Sequence, residues 1–223
     1  MKISARYLCR RGARWRGFCV DSCRRLPQYS NRVQDFLDHA ANYLWLAAGL
    51  VWLVGAMTAK RAERRQALAS RLRHLALEVP AFFLVFARIT WPAWLERPFL
   101  PEPATTARWI GLVLTAAGIA FAIAARVWIG RNWSGRVTIK EQHELIQDGP
   151  YSVVRHPIYS GFLLALLGTA VVQGELRGLI GFALAALGWI LKLRTEEAFL
   201  AQQFGNEYLN YKQRVKALVP FVV

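Results

Sequence analysis

An all-α, integral-membrane fold of about five spanning helices, ending in a C-terminal helical hairpin, is what this chain of 223 residues predicts. Three observations carry that expectation. The composition is 55% hydrophobic with nine Trp, too apolar for an ordinary soluble domain. The apolar residues are gathered into long blocks rather than spread along the chain. The strand signal is weak, and the blocks lack the alternation of a closed barrel, which leaves helices as the way to satisfy the backbone inside a bilayer.

The blocks follow in order. Ala40 to Ala59, about Leu75 to Trp94 (with Glu78, Pro80 and Arg88 inside it), and Trp109 to Ile129 (with Arg126 near its end) are each long enough to span about 30 Å of hydrocarbon. Ile158 to Val172 and Leu179 to Leu191 are shorter and are joined only by Gln173 to Gly178, which reads as a tight helical hairpin. Before the hairpin, Pro157 biases His156 toward an extended backbone and suits the first turn of the helix that follows. After it, the helix starting near Gly178 is expected to run past the membrane through Arg194 and Glu197 to Phe204, with Gly205 as its stop. A spacing of three puts Arg194 and Glu197 on one helical face. A last amphipathic helix, Asn206 to Val215, would press Tyr208, Tyr211 and Val215 onto the membrane interface or back onto the bundle.

This divides the chain into a basic tail (1–37), three spanning helices (38–129) and a region where polar chemistry and short membrane segments alternate (130–223), expected to carry the function. The formal charge of +15 lies in segments flanking the apolar blocks, so it reads as topology and contact with anionic lipid headgroups; no motif points to nucleic acid. Basic residues crowd Lys60 to Arg73, Arg126 to Arg155 and Lys192 to Lys216, which the positive-inside rule places in the cytoplasm. The tail conflicts with this scheme. Nine basic residues from Lys2 to Arg32 stand against Asp21 alone, yet five spans with a cytoplasmic C-terminus put them outside. A tail lying flat on lipid, a transit-type peptide and an upstream start codon are the alternatives. Cys9, Cys19 and Cys23 all fall in this tail and read as free thiols; His, Cys and carboxylate spacings offer no metal site.

Arg155 and His156 stand just before an apolar run, where ionisable groups are costly unless they sit at the interface or line a cavity, and Arg194 to Glu197 answer them downstream. From Asn132 to Pro220 the motifs accumulate: His143 to Gly149-Pro-Tyr151, Arg155-His156-Pro157-Ile-Tyr159-Ser-Gly161, Arg194-Thr195-Glu196-Glu197, and Phe204-Gly205 through Tyr208 and Tyr211. Together they resemble the isoprenylcysteine carboxyl methyltransferase family of integral-membrane enzymes, which use S-adenosylmethionine, and the related phospholipid N-methyltransferases.

The resemblance implies a cytoplasmic cofactor site held by His143, Leu145, Gly149, Tyr151, His156 and Tyr159 and closed by Glu197, with Arg194 and Glu197 as the catalytic pair. The residue types suit a ligand with a carboxylate, an amine, ribose hydroxyls and a sulfonium, which asks for cationic or N–H donors, a carboxylate and aromatic faces. No Gly-rich dinucleotide fingerprint follows a strand. Arg194 could hold a carboxylate acceptor by a bidentate contact, whereas an amine acceptor would need a base such as Glu196, Glu197 or His156. The acceptor is expected to be a lipophilic small molecule or a lipidated substrate, arriving between helices from the lipid. His143 reads equally as an exposed loop histidine, Glu196 as solvated, Tyr208 and Tyr211 as packing residues, and Glu78, Arg88 and Arg126 as snorkelling or paired. Two other classes remain open: a sterol-type reductase using NADPH, which shares an Arg-His-Pro-x-Tyr element, and a non-catalytic membrane interaction protein.

Overall fold

The computed structural model describes residues 28–57, 62–65, 68–101, 104–130, 138–140 and 145–220. The elements in order are α1 (Gln28–Met57), β1 (Ala62–Arg65), α2 (Leu68–Phe86), α3 (Thr105–Ile129), β2 (Thr138–Lys140), α4 (Pro150–Val153), α5 (Pro157–Gln173), α6 (Leu176–Phe204) and α7 (Asn206–Arg214). Among the described residues three helical stretches are long and apolar enough to cross a membrane: Arg32–Met57, Thr105–Ile129 and Leu176–Phe204. Helix α5 is apolar but only 17 residues long. Helix α2 starts earlier than its apolar block, takes in His74 and Glu78, and ends at Phe86, so Trp91 and Trp94 lie in the loop beyond it.

Glycine rows decide how the helices meet. Gly111 and Gly118 of α3 lie against Gly168 and Gly161 of α5, in antiparallel order; a β-carbon on Gly161 would stand 2.6 Å from the Gly118 carbonyl oxygen. Small residues permit this backbone approach, which replaces the hydrophobic drive that lipid removes. The neighbouring Thr115 and Thr169 hydroxyls back-bond to Gly111 and Ala165, and Trp45 of α1 donates its indole N–H to Thr169 at 2.9 Å, so the polar atoms at this crossing are satisfied. Helix α6 packs on α2 in the same way, with Gly181 facing Ala81 and Val85, and Gly188 facing His74 and Glu78. Trp45, Phe82, Phe86, Phe162 and Trp189 fill the space between the two pairs.

The crossing predicts its own test. Gly118→Ala should cost about 1–3 kcal/mol of stability by overpacking against the α5 backbone. Gly49→Ala, where the new methyl meets open space, should leave the melting temperature in detergent unchanged. Equal melting of the two variants would remove the crossing from the account.

Hinges between elements fall where the local sequence demands. The hairpin turns at Gly174 with a left-handed φ of 69°, and α6 stops at Gly205 with φ 52°. Beyond α2 the loop is stitched to the hairpin turn by Phe99 N–H to Gly174 O and Leu176 N–H to Arg97 O, both 3.0 Å, while Arg177 caps the α2 carbonyls of Leu84 and Val85. At the other end Arg126 donates to Gly55 O at 2.7 Å and to Gly130 O at 2.9 Å, tying α3 to the end of α1. Arg126 is therefore a paired helix cap, one of its two expected roles; Arg88 is exposed.

A two-stranded antiparallel ribbon, β1 with β2, departs from the all-helical expectation. The strands are four and three residues long, too short to have left a strand signal in the sequence. The ribbon lies at the end of the bundle that also carries α4, the start of α5, the end of α6 and α7.

Candidate functional site

Three basic side chains at that end, those of Arg155, His156 and Lys212, converge on one carboxylate. Arg155, in the extended stretch between α4 and α5, grips Glu197 of α6 through Nη2 at 2.5 Å and Nε at 2.9 Å; the two side chains are 7% and 10% exposed. Lys212 of α7 donates to the other oxygen of Glu197 at 2.7 Å. The remaining Arg155 nitrogen is spent on backbone, donating to Lys212 O at 3.2 Å and to Val215 O. A buried guanidinium with all three nitrogens engaged and a carboxylate with two cationic partners is the arrangement that makes burial of charge tolerable.

The C-terminal segment locks this node in place. Arg155 N–H donates to Lys216 O at 2.8 Å and His156 N–H to Ala217 O at 3.0 Å, a short parallel pairing between the stretch before α5 and the chain after α7. Ser160 donates to Leu218 O at 2.6 Å, and the Tyr211 hydroxyl donates to Tyr151 O at 2.5 Å. Tyr208 and Tyr211 are buried against the bundle, as packing residues should be. Burial pushes the Tyr211 phenol up to about 12 and holds that of Tyr208 well above its ordinary range, so both stay neutral. The Tyr208 hydroxyl lies near Glu197 and Arg155 yet completes no hydrogen bond within the described residues.

His156 caps α5 and is buried. Its Nε2 lies 3.5 Å from Glu197 and its Nδ1 3.7 Å from Glu196, and Nε2 completes no hydrogen bond within the described residues. Its ring stacks on Tyr159 at 5.7 Å, Tyr159 stacks on Trp189 at 6.0 Å, and Lys192 Nζ stands 5.3 Å over the Tyr159 ring. The Tyr159 hydroxyl donates to Glu196 Oε1 at 2.6 Å. Glu196 is thus engaged rather than merely solvated.

Of the residues named from sequence, Tyr151, His156, Tyr159 and Glu197 come together here. Tyr151 is buried in α4. Gly149 opens the turn before α4 with φ 55°, and Leu145 lies half-buried in the irregular stretch leading to it. His143 lies outside the described residues. Arg194 is exposed and makes no hydrogen bond or ion pair with a described residue; Glu197, read from the sequence as sharing a helical face with Arg194, pairs with Arg155. The reason is geometric: a spacing of three sets two side chains near one face, but Arg155 reaches Glu197 from the chain before α5, through the Nε–Nη2 side of its guanidinium. Lys212 was missed altogether, since nothing in a spacing of 15 residues across a helix stop marks it as a partner of Glu197.

A family model described as phospholipid methyltransferase matches residues 106–207, from the start of α3 into α7, and so contains the Gly149–Gly161 segment and the Glu196-Glu197 block. A probable protein-S-isoprenylcysteine O-methyltransferase of Oryza sativa subsp. indica is 37% identical over 117 residues, covering 51% of this chain and 61% of that protein. The cobalt-zinc-cadmium resistance protein CzcN of Cupriavidus metallidurans is 36% identical over 110 residues, 49% of each chain. The chain therefore spans less than two thirds of the length of these relatives. A solved structure of the eukaryotic intramembrane Ras methyltransferase ICMT aligns over 87% of this chain and 83% of its own, at 20% identity and a TM-score of 0.44. The phospholipid methyltransferase model and the isoprenylcysteine O-methyltransferase relative bear out the motif resemblance read from the sequence.

Proposed function

We propose that this chain is an integral-membrane methyltransferase that moves a methyl group from S-adenosylmethionine to a lipophilic acceptor, a prenylcysteine-like carboxylate in the first instance. The observation that carries the reading is the buried node in which Arg155, Lys212 and His156 surround Glu197 beside the Tyr159–Trp189 aromatic wall; all of these but Lys212 lie inside the segment that the methyltransferase family model matches.

The residues present fit the cofactor. Two buried polar atoms that complete no hydrogen bond among the described residues, His156 Nε2 and Tyr208 Oη, lie beside Glu197, and stacked aromatic faces stand near them, as a ligand with hydroxyls, an amine and a positive sulfur would require. When bound, the cofactor supplies an electrophilic methyl group on a sulfonium. His156, Tyr159 and Glu197 are the residues proposed to hold it, with Leu145, Gly149, Tyr151 and His143 contributing from the preceding segment. Both Glu197 oxygens accept from cationic partners, Arg155 on one and Lys212 on the other, so it orients rather than transfers protons. Arg194 is exposed one turn before it and is free to orient an acceptor carboxylate, which needs no base. Arg155, His156 and Glu197 are buried at the node, while Lys212 reaches it from the solvent side.

Titration of the purified protein with S-adenosylmethionine, its demethylated product and reduced nicotinamide cofactors tests this. Binding of the first two is expected at low-micromolar to sub-millimolar affinity, about −5 to −8 kcal/mol, and His156→Ala should weaken it about tenfold. Binding of a nicotinamide alone would install the reductase reading instead.

The topology proposed with it is five passes, with the site and C-terminus cytoplasmic by the Lys/Arg bias and anionic lipid against the basic connectors. With the native cysteines replaced by Ser, new cysteines at Ser152 and Gln213 should label from the cytoplasmic side and one at Thr90 from the other. Labelling of Ser152 and Thr90 positions from one side would overturn it.

A further inference from the structure

Trp128, on the last turn of α3, is where the spanning bundle touches the turn that opens the site. Its indole N–H donates to Asp148 Oδ1 at 3.1 Å. Its ring lies so close to Gly149 that a β-carbon there would overlap three atoms of the indole. Position 149 therefore requires glycine twice, once for φ 55° and once for this contact. The anchor itself is firm, because Arg126, two residues before Trp128, binds the ends of α1 and α3 together. From the opposite side Tyr211 holds the same turn at Tyr151 O. Trp128 is nevertheless 52% exposed, so it contributes little to the packing of the bundle.

We propose that Trp128 is a positioning residue: its indole latches the Asp148–Tyr151 turn against the end of α3 and thereby sets the affinity of the site for its cofactor. This rests on the methyltransferase reading for the word cofactor, though not for the latch. A turn already held in its bound shape loses less freedom on binding, so the latch acts on cofactor affinity and leaves the chemical step alone.

Two measurements on the full-length protein decide it. In ligand-free protein, Trp128→Ala should speed amide exchange at Tyr151, Ser152 and Val154, whose N–H groups bond to Asp148, Gly149 and Pro150 carbonyls, by about tenfold or more, while Trp128→Phe, which keeps the ring face, should do so much less. In the binding assay Trp128→Ala should weaken S-adenosylhomocysteine about tenfold with kcat within about twofold, and Phe should recover most of the loss. Gly149→Ala should weaken binding more in the native background than in Trp128→Ala, where the ring it collides with is gone, so the two effects are not additive. Unchanged exchange in Trp128→Ala, or strict additivity with Gly149→Ala, overturns the latch. Native protein that binds neither S-adenosylmethionine nor its product overturns the methyltransferase reading instead, and the exchange data still decide the latch.

Discussion

Glu197→Ala is expected to cost about 3–5 kcal/mol of stability and to abolish measurable cofactor binding. The larger part of the stability loss comes from what is left behind. Arg155 stays buried with two of its charge-assisted bonds gone, and an uncompensated guanidinium at 7% side-chain exposure is among the costliest defects a core can carry. Lys212, half in solvent, can turn away at little cost. Glu197→Gln keeps the shape and one acceptor, so it should melt closer to the native protein while still binding cofactor weakly, because it cannot hold two cations. Thermal unfolding in detergent, with and without S-adenosylhomocysteine, separates the terms: native protein should gain stability with ligand, Gln variant much less, Ala variant none. An Ala variant that melts with the native protein would show that the node is not what holds α6 to the chain before α5.

Arg194→Ala should lower kcat/KM for the acceptor by about a hundredfold, about 3 kcal/mol, while melting temperature and cofactor affinity stay native. The contrast with Glu197 follows from exposure. Arg194 has no partner to abandon among the described residues, so its removal leaves no buried defect, and only a contact made with the acceptor can be lost. Arg194→Lys should recover part of the activity at most, since a point charge does not reproduce the planar two-pronged contact with a carboxylate. The result also reports on the acceptor. An amine substrate gains nothing from a neighbouring guanidinium, so near-native turnover in Arg194→Ala would remove this residue from the mechanism and move the acceptor proposal toward lipid amines.

Much of the architecture was legible before any tertiary contact was known. Apolar blocks marked the helices, though not which are of spanning length: Leu75 to Trp94, read as long, is not among the three spanning-length stretches of the described residues, whereas Leu179 to Leu191, read as short, lies inside Leu176–Phe204. Pro157 marked the start of α5, Gly205 the end of α6, and the short Gln173 to Gly178 link the hairpin. These are local facts: a missing N–H, a left-handed φ or a run of apolar residues acts within a few positions of itself. The Arg-His-Pro and Glu-Glu elements were likewise conspicuous, because ionisable residues beside apolar runs are expensive wherever the chain then goes.

Partnership was another matter. That Glu197 belongs to Arg155 and Lys212 rather than to Arg194, that Glu196 takes the Tyr159 hydroxyl, and that Lys216 and Ala217 return to pair with Arg155 and His156 all depend on how α6, α7 and the chain before α5 are placed in space. Sequence spacing orders side chains around one helix but says nothing about what approaches from outside it. The glycines of α3 and α5 show the same limit. Gly111, Gly118 and Gly168 read as ordinary residues of apolar helices and Gly161 only as a motif position, and the crossing, with Gly161 of one helix on the Gly118 carbonyl of the other, reveals that they set the distance between two helices and so the place of the site built on their ends.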